Sequence, residues 1–417
     1  MVKPITAMTH DTDIPQGYKA TALGVIPQKW EVKFLGDLLS RCTNGLTYDV
    51  SITCGIPVTR IETISTGEIN YAKVGYIPNE SGYETFRMQK GDILYSHINS
   101  LSQIGKVAYY KGDKEIYHGM NLLLLRANES LDKQYLYYTL LTDHMRHMAQ
   151  VIAKPAVNQA SISTSDLKRV KIAVPPLAEQ RKIAEVLGVW DEAIEKQARL
   201  IEKLALRKRG LMQRLLSAKL RLPGFSEPWK IHKLQELFTE RNETNRTDLP
   251  LLSITGDRGV ILQTESEKRD TSNDDKSKYK RIAKGDIGYN TMRMWQGRSA
   301  LSGLEGIVSP AYTIVVPNTD VDGYYMSVLF KQPRLIYDFW THSQGLVGDT
   351  LNCKYRDFGQ VHICCPPLAE QKAITEVLTA ADREIELAKE KLERLRRQKR
   401  GLMQQLLSGK KRVKINI

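Results

Sequence analysis

Apolar positions recur at alternating steps of four and three along two stretches of the chain. The first runs Ile183, Leu187, Trp190, Ile194, Gln197, Ile201, Leu204, Lys208, Leu211, Leu215; the second runs Ile374, Leu378, Ala381, Ile385, Ala388, Leu392, Leu395, Lys399, Leu402, Leu406. This is the seam of a heptad repeat, and it predicts two long helices. Each should begin at a pair of prolines, where a missing N–H costs nothing, and end near Ser217 or Ser408. About forty residues at roughly 1.5 Å each make a rod of about 60 Å. So long a helix with so narrow a stripe is unstable alone, which predicts that the two pack together as a coiled coil. Periodicity leaves their direction open, but the intervening residues are numerous enough to permit antiparallel packing. Two helices docked separately on two domains are the alternative.

The seams belong to a larger internal repeat. Pro175-Pro176-Leu177-Ala178-Glu179-Gln180 returns as Pro366-Pro367-Leu368-Ala369-Glu370-Gln371, and Arg209-Gly210-Leu211-Met212-Gln213 returns as Arg400-Gly401-Leu402-Met403-Gln404, both at an offset of 191 residues. Weaker echoes precede each helix. Trp30, Val32, Leu35 and Leu38 answer to Trp229, Ile231, Leu234 and Leu237; Lys90-Gly91-Asp92-Ile93-Leu94-Tyr95 answers to Lys284-Gly285-Asp286-Ile287-Gly288-Tyr289; Gly105-Lys106 answers to Gly297-Arg298, and Asp166-Leu167 to Asp357-Phe358. The Gly-Asp pairs read as turns that lead into short strands. Leu222-Pro223-Gly224-Phe225 breaks the first helix. The expected fold is therefore α+β and pseudo-twofold, with two mixed α/β domains separated by two long helices packed as an antiparallel coiled coil. Its divisions are an N-terminal tail (1–16), a first domain (17–174), a helix (175–218), a second domain (219–365), a helix (366–408) and a C-terminal tail (409–417).

Composition narrows the chemistry. Sixty-one Lys and Arg against 47 Asp and Glu leave a net charge of +14, which suits a polyanionic partner better than a membrane or an acidic small molecule. From Pro175 to Arg221 eleven basic residues face six acidic ones, and from Pro366 to Arg412 twelve face seven, so each helix carries its own positive excess. Arg207-Lys208-Arg209 and Arg396-Arg397-Gln398-Lys399-Arg400 concentrate it near the helix C-termini, where cations suit the dipole. The cysteines Cys42, Cys54, Cys353, Cys364 and Cys365 form no Cys-x-x-Cys pair, which argues against zinc and for a reducing compartment; Cys364 and Cys365 read as small buried residues. Residues 1–16 lack the apolar core of an export signal and no long apolar run occurs, so a cytoplasmic protein without a membrane span is expected.

Two variable domains, each followed by Pro-Pro-Leu-Ala-Glu-Gln and a heptad helix that carries Arg-Gly-Leu-Met-Gln, resemble the specificity subunits of type I restriction-modification enzymes. The resemblance extends from Gly17 to Ser408. Within the second domain, Tyr289-Asn290-Thr291-Met292-Arg293-Met294-Trp295-Gln296-Gly297 and Gly306-Ile307-Val308-Ser309-Pro310-Ala311-Tyr312 resemble one recurring class of recognition domain. The first domain reads Tyr95-Ser96-His97-Ile98-Asn99 at the corresponding place. The resemblance implies a bipartite double-stranded DNA target, two methyltransferase subunits docked along the helices, and optionally motor-nuclease restriction subunits. It implies no cofactor in this chain, with S-adenosylmethionine used by the methyltransferase partners and ATP with Mg for restriction. The sequence agrees with a non-catalytic role, for it holds no Asn-Pro-Pro-type methyltransferase motif, no phosphate loop and no Gly-x-Gly-x-x-Gly turn. The rival readings are a specificity subunit of a fused methyltransferase-nuclease system and a coiled-coil scaffold that binds DNA without selecting a sequence.

Reading base edges takes paired hydrogen bonds, chiefly from Arg or Lys to guanine and from Asn or Gln to adenine. In the second domain Asn290, Arg293, Gln296 and Arg298 lie close together, with Trp295 placed to stack or wedge; the bland alternative is a polar hairpin covering a sheet. The matching candidates in the first domain are Ser96, His97, Asn99, Gln103 and Lys106. Lys280 and Arg281, with Lys278, Lys73 and Arg87, are expected on phosphates, which orient without reading sequence. His144 and His147 stand one helical turn apart without an acidic or Cys partner, and Asp274-Asp275-Lys276 reads as an exposed loop.

Overall fold

The structure is a computed structural model and describes residues 14–157, 159–256, 258–266, 274–345 and 351–415. Most of the tail expected at residues 1–16 therefore lies outside the described residues. The chain divides into two compact units, one running to Gln197 and resuming at Lys391, the other spanning Ala198–Glu390.

The first unit is built on a four-stranded antiparallel sheet in the order Leu39–Asn44, Leu123–Ala127, Ile93–Tyr95, Val107–Tyr109. Its apolar run Leu123-Leu124-Leu125 is buried throughout: Leu123 and Leu125 enter one core while Leu124 enters another on the opposite face. A strand covered on both faces needs apolar residues at every position, hence the run without alternation. Gly91 takes φ +98° in the turn before Ile93–Tyr95, a region that favours glycine. Asp92, next in line, is buried; it accepts the Gln89 N–H at 2.7 Å and the Arg126 guanidinium at 2.7 and 2.8 Å.

The second unit repeats the plan with a four-stranded sheet in the order Phe238–Glu240, Tyr312–Pro317, Ile287–Asn290, Ser299–Leu301. Gly285 takes φ +95°, and buried Asp286 accepts the Ala283 N–H at 2.7 Å and the Arg241 guanidinium at 2.7 and 3.1 Å. The arginine has changed strands. Arg126 stands on the strand next to that of Asp92, whereas Arg241 follows the edge strand Phe238–Glu240. The Lys-Gly-Asp motif thus marks a buried ion-pair anchor as well as a turn.

Two-stranded ladders close each unit, Glu31–Phe34 with Lys171–Val174 and Lys230–Lys233 with His362–Cys365. The second ladder corrects one expectation. Strand alternation points Cys365 into the core and Cys364 to solvent, so only one of the adjacent cysteines is buried.

The long helices span Leu177–Leu215 and Leu368–Leu407, 39 and 40 residues. They pack antiparallel. In the first unit Ile183, Ala184 and Leu187 of the first helix share a core with Leu402, Met403, Leu406 and Leu407 of the second. In the second unit Leu211, Met212 and Leu215 share a core with Ile374 and Leu378, and Ile201 and Leu204 pack on Ile385 and Ala388. Direct contact of Leu204 with the second helix overturns the alternative of two separately docked helices. Leu392 is buried, while Trp190, Ile194 and Leu395 are half-buried.

Both seam lysines find a carboxylate on the partner helix. Lys399 pairs with Asp191, which also accepts the Tyr138 hydroxyl at 2.7 Å; Lys208 pairs with Asp382, which accepts the Tyr324 hydroxyl at 2.6 Å. The repeated Glu-Gln has an equally internal use. Glu179 is 1% exposed and accepts the Trp30 indole N–H at 3.1 Å and the Arg412 guanidinium at 2.5 and 2.8 Å. Glu370, also 1% exposed, accepts the Trp229 indole N–H at 3.2 Å and the Arg221 guanidinium at 2.6 and 2.8 Å. Gln180 and Gln371 each span a backbone N–H, of Asp132 or Asp322, and the carbonyl of Pro175 or Pro366. Each paired-proline motif therefore fastens its domain to the start of a helix. The stretch expected as a tail at 409–417 is docked as far as Val413, through Arg412 and through Val413 in the core of the first unit.

Candidate nucleic-acid interface

In the second unit the candidate residues sit where the strand Ile287–Asn290 gives way to a loop. The Asn290 carboxamide oxygen accepts the Met292 N–H at 3.0 Å, a local bond that turns the chain. A 3-10 turn, Met294–Gln296, follows with Met294 fully buried, and Gly297 at φ +70° redirects the backbone. Arg298 returns its carbonyl to the Asn290 N–H at 3.0 Å, so the first and last candidates are bonded neighbours. Trp295 is half-buried and donates its indole N–H to the Met292 carbonyl at 3.0 Å, which holds the ring to its own loop.

Arg293, Gln296 and Arg298 are exposed, and among the described residues neither guanidinium has a carboxylate partner. The next strand adds Tyr312. Burial raises its phenol above the usual range, while Asn290 and the positive charges of Arg293 and Arg298 oppose that rise. The side chain of Arg298 lies against Gly256, in the turn joining Leu252–Ile254 to Val260–Leu262. Asn290, Arg293, Arg298, Tyr312 and Gly256 thus converge on one patch. Gly256 was not among the residues the sequence singled out, and Tyr312 appeared only as the end of a motif; neither spacing nor residue type separates Gly256 from any other turn glycine.

Two of the residues expected on phosphates have partners within the domain. Arg281 is held by Glu243 at 2.7 Å and by Glu305 at 2.5 Å, and Lys280 lies 3.7 Å from Glu240. Acidic side chains from other segments lie beside them, so their charge is met inside the domain. Arg87 is likewise 3.1 Å from Glu115, whereas Lys73 and Lys278 remain exposed.

The first unit corrects two base-reading candidates. Ser96 and His97 are buried, at 1% and 5% exposure, because the strand after the Gly-Asp turn continues inward before it reaches the surface. Burial lowers His97 to about 4, so the imidazole is neutral, and its Nδ1 has no partner. Lys106 donates to the Ser65 carbonyl at 2.7 Å. Asn99 is half-buried, donating to the Ser96 hydroxyl at 3.2 Å and accepting the Ser100 N–H at 2.8 Å, and Gln103 is half-buried. Beside Asn99 lies a feature the sequence reading missed, the hairpin of Lys154–Ala156 and Gln159–Ser161, which adds to Ile98–Asn99 with Ala160 opposite Asn99. Val157 at its tip is 92% exposed, and Gln159 is exposed. The cue was the alternation of Ala160 and Ile162 with Ser161 and Ser163, shortly before the echo Asp166-Leu167.

Among the described residues no group of three or more His, Cys, Asp and Glu side chains is arranged to hold a metal ion, and His144 and His147 are both exposed on one helix. Asp274 and Asp275 are exposed, the latter accepting the Ser277 N–H at 2.8 Å. No described helix is long and apolar enough to cross a membrane.

One α+β frame used twice, each copy carrying its own exposed polar face, defines a duplicated two-domain protein, and comparison with known proteins gives its family. The family model described as type I restriction modification DNA specificity domain matches residues 27–205. The chain named as the type I restriction enzyme MjaX specificity subunit of Methanocaldococcus jannaschii is 34% identical across 96% of this chain and 97% of its own. The type I restriction enzyme MjaVIII specificity subunit of the same organism is 24% identical across 93% and 94%. Among solved structures, the S subunit of a type I restriction-modification system from M. genitalium superposes with a TM-score of 0.54 at 16% identity, covering 91% of this chain and 96% of that one. A chain from a structure of the type I R-M system, described for its complex assembly and conformational transition, gives 0.58 at 17% identity, covering 92% and 99%. This chain belongs to the family of type I restriction enzyme specificity subunits.

Proposed function

We propose that the chain is the non-catalytic reader of a bipartite double-stranded DNA target, each unit taking one half-site. Methyltransferase subunits, two of them, dock on the long helices, whose paired sequences offer two equivalent surfaces. The S-adenosylmethionine belongs to those partners, which methylate an adenine turned out of the duplex; ATP and Mg belong to motor-nuclease subunits where the system restricts. The chain works in the cytoplasm, where its DNA is.

The observation that carries this reading is the contrast among the arginines of the second unit. Arg221, Arg241, Arg246 and Arg281 are each matched to a carboxylate, whereas Arg293 and Arg298 are exposed beside Asn290 and have no carboxylate partner among the described residues. A guanidinium is satisfied by a planar pair of acceptors, and the edge of guanine presents such a pair in the major groove. Asn290 adds the carboxamide that suits adenine.

Co-expression of the chain with its adjacent methyltransferase gene, followed by mapping of methylated adenines, tests the reading. A two-part motif with an unread spacer is expected, and Arg293→Ala should relax selection in one half-site by about tenfold or more. Methylation without a motif would refute the proposal, and an equal loss on all sequences would move Arg293 to phosphate.

A further inference from the structure

A side chain that reads a base has to be aimed, because both N–H groups of a guanidinium must meet their acceptors together. Arg298 is exposed, carries no internal ion pair among the described residues, and yet lies in a defined place, across the backbone at Gly256. A β-carbon built on Gly256 would stand 2.6 Å from the Arg298 Nη1 and 3.5 Å from its Cζ, and its three nearest atoms are all from Arg298. The φ angle of Gly256 is outside the left-handed region, so the backbone itself does not demand glycine. What glycine supplies here is space.

We propose that Gly256 is a specificity-determining position: by carrying no side chain it seats the Arg298 guanidinium over the Leu252–Leu262 hairpin, from where Arg298 reads a guanine in the half-site of the second unit. The inference rests on the reading of this face as a DNA interface and adds the residue that aims it. Gly256 touches no base and acts through Arg298 as a positioning residue. Neighbouring chemistry supports the placement. Tyr312, whose hydroxyl lies 3.5 Å from the Ile254 carbonyl, stands between the hairpin and Asn290, and the charges of Arg293 and Arg298 both reach it. The hairpin is a separate segment from the strand that bears the arginine, so the aim of Arg298 is set by a turn 42 residues earlier.

The same geometry makes Gly256→Ala a clean perturbation. The atom in the way is the far end of a flexible side chain, so a methyl group displaces the guanidinium by roughly 1 Å and leaves the fold intact. The full chain, co-expressed with its adjacent methyltransferase gene, is compared as wild type, Gly256→Ala, Arg298→Ala, Arg298→Lys and the Gly256→Ala/Arg298→Ala double variant. Each is scored by mapping methylated sites, by selection from a random duplex pool, and by melting temperature. Gly256→Ala should lower the preference for guanine at one base pair by about tenfold to a hundredfold, with the other half-site and the melting temperature unchanged. Arg298→Ala should lose the same preference at the same base pair, Arg298→Lys should lose part of it, and the double variant should be no worse than Arg298→Ala. Unchanged selection in Gly256→Ala overturns the inference, as do equal weakening on every sequence, additive losses in the double variant, or a Gly256→Ala chain that fails to fold. If wild type selects no bipartite sequence, or if Arg293→Ala and Arg298→Ala both leave selection intact, the broader DNA-interface reading fails instead.

Discussion

A carboxylate hidden from water is tolerated only where hydrogen bonds and a counter-charge replace the lost solvent, and Glu179 shows the conditions. An indole N–H and a two-pronged guanidinium occupy its oxygens, and Glu370 is treated identically. Removing one partner of such a pair leaves the charge stranded. Arg412→Ala is expected to cost about 3 kcal/mol, because its guanidinium is part-exposed but the carboxylate is not. Adding Glu179→Gln should recover part of the loss by removing the buried charge; a double variant less stable in denaturant than Arg412→Ala would contradict this. A second residue-scale consequence concerns His97 and His118, both buried and both lowered to about 4 by burial. An unfolded histidine binds its proton near pH 6.5, so between 6.5 and 4 the unfolded chain takes up protons that the folded chain refuses. Stability from these groups is complete above about pH 7 and declines as pH falls toward 4, by up to a few kcal/mol for each histidine. The denaturation midpoint of a His97→Gln/His118→Gln chain should vary less between pH 6.5 and 5 than that of wild type, and equal slopes would show that these histidines are not the titrating groups.

At the scale of elements, the heptad stripe was legible because a coiled coil needs apolar residues at fixed spacing, and residues such as Leu187, Leu204, Ile374 and Leu378 are buried where the spacing put them. Lys208 and Lys399 were visible in the stripe, but their partners were not, since Asp382 and Asp191 belong to the other helix. A polar pair inside an apolar seam favours one alignment of the helices over those shifted by a heptad. Because the Asp191 and Lys399 side chains keep some contact with water, their interaction is small. A double-mutant cycle of Asp191→Ala and Lys399→Ala should return a coupling of about 1 kcal/mol in chemical denaturation, diminishing in high salt. A coupling of zero would leave alignment to the apolar residues alone. The faces proved harder to read than the seam. The burial of Ser96 and His97, expected among the base-reading residues, is not legible in the sequence because a strand pattern does not say where the strand surfaces. The ion pairs of Lys280 and Arg281, expected on phosphates, were not legible because Glu240, Glu243 and Glu305 are supplied by other segments, the latter two 38 and 24 residues from Arg281.

On the scale of the whole molecule, duplication has kept one set of contacts and released another. Trp30 with Glu179 matches Trp229 with Glu370, Tyr138 with Asp191 matches Tyr324 with Asp382, and Asp92 and Asp286 each hold an arginine, though from different places in the sheet. These pairs hold domain to helix and turn to sheet, and a change in any of them disturbs the frame. The exposed faces are free of that constraint. The first unit presents Asn99, Gln103 and the hairpin around Val157, while the second presents Asn290, Arg293 and Arg298 beside Tyr312. If frame and face are separable, residues 230–365 can be replaced by the corresponding span of another family member, one that keeps a tyrosine at the place of Tyr324 and thereby its bond to Asp382. The junctions fall just inside Trp229 and Pro366, so Glu370 retains its indole and Arg221. Methylation mapping should then show one half of the target exchanged for that of the donor and the other half unaltered. A folded chimera that changed both halves, or selected neither, would mean that each unit depends on the other for its choice of bases, and that the duplicated frame does not by itself make two independent readers.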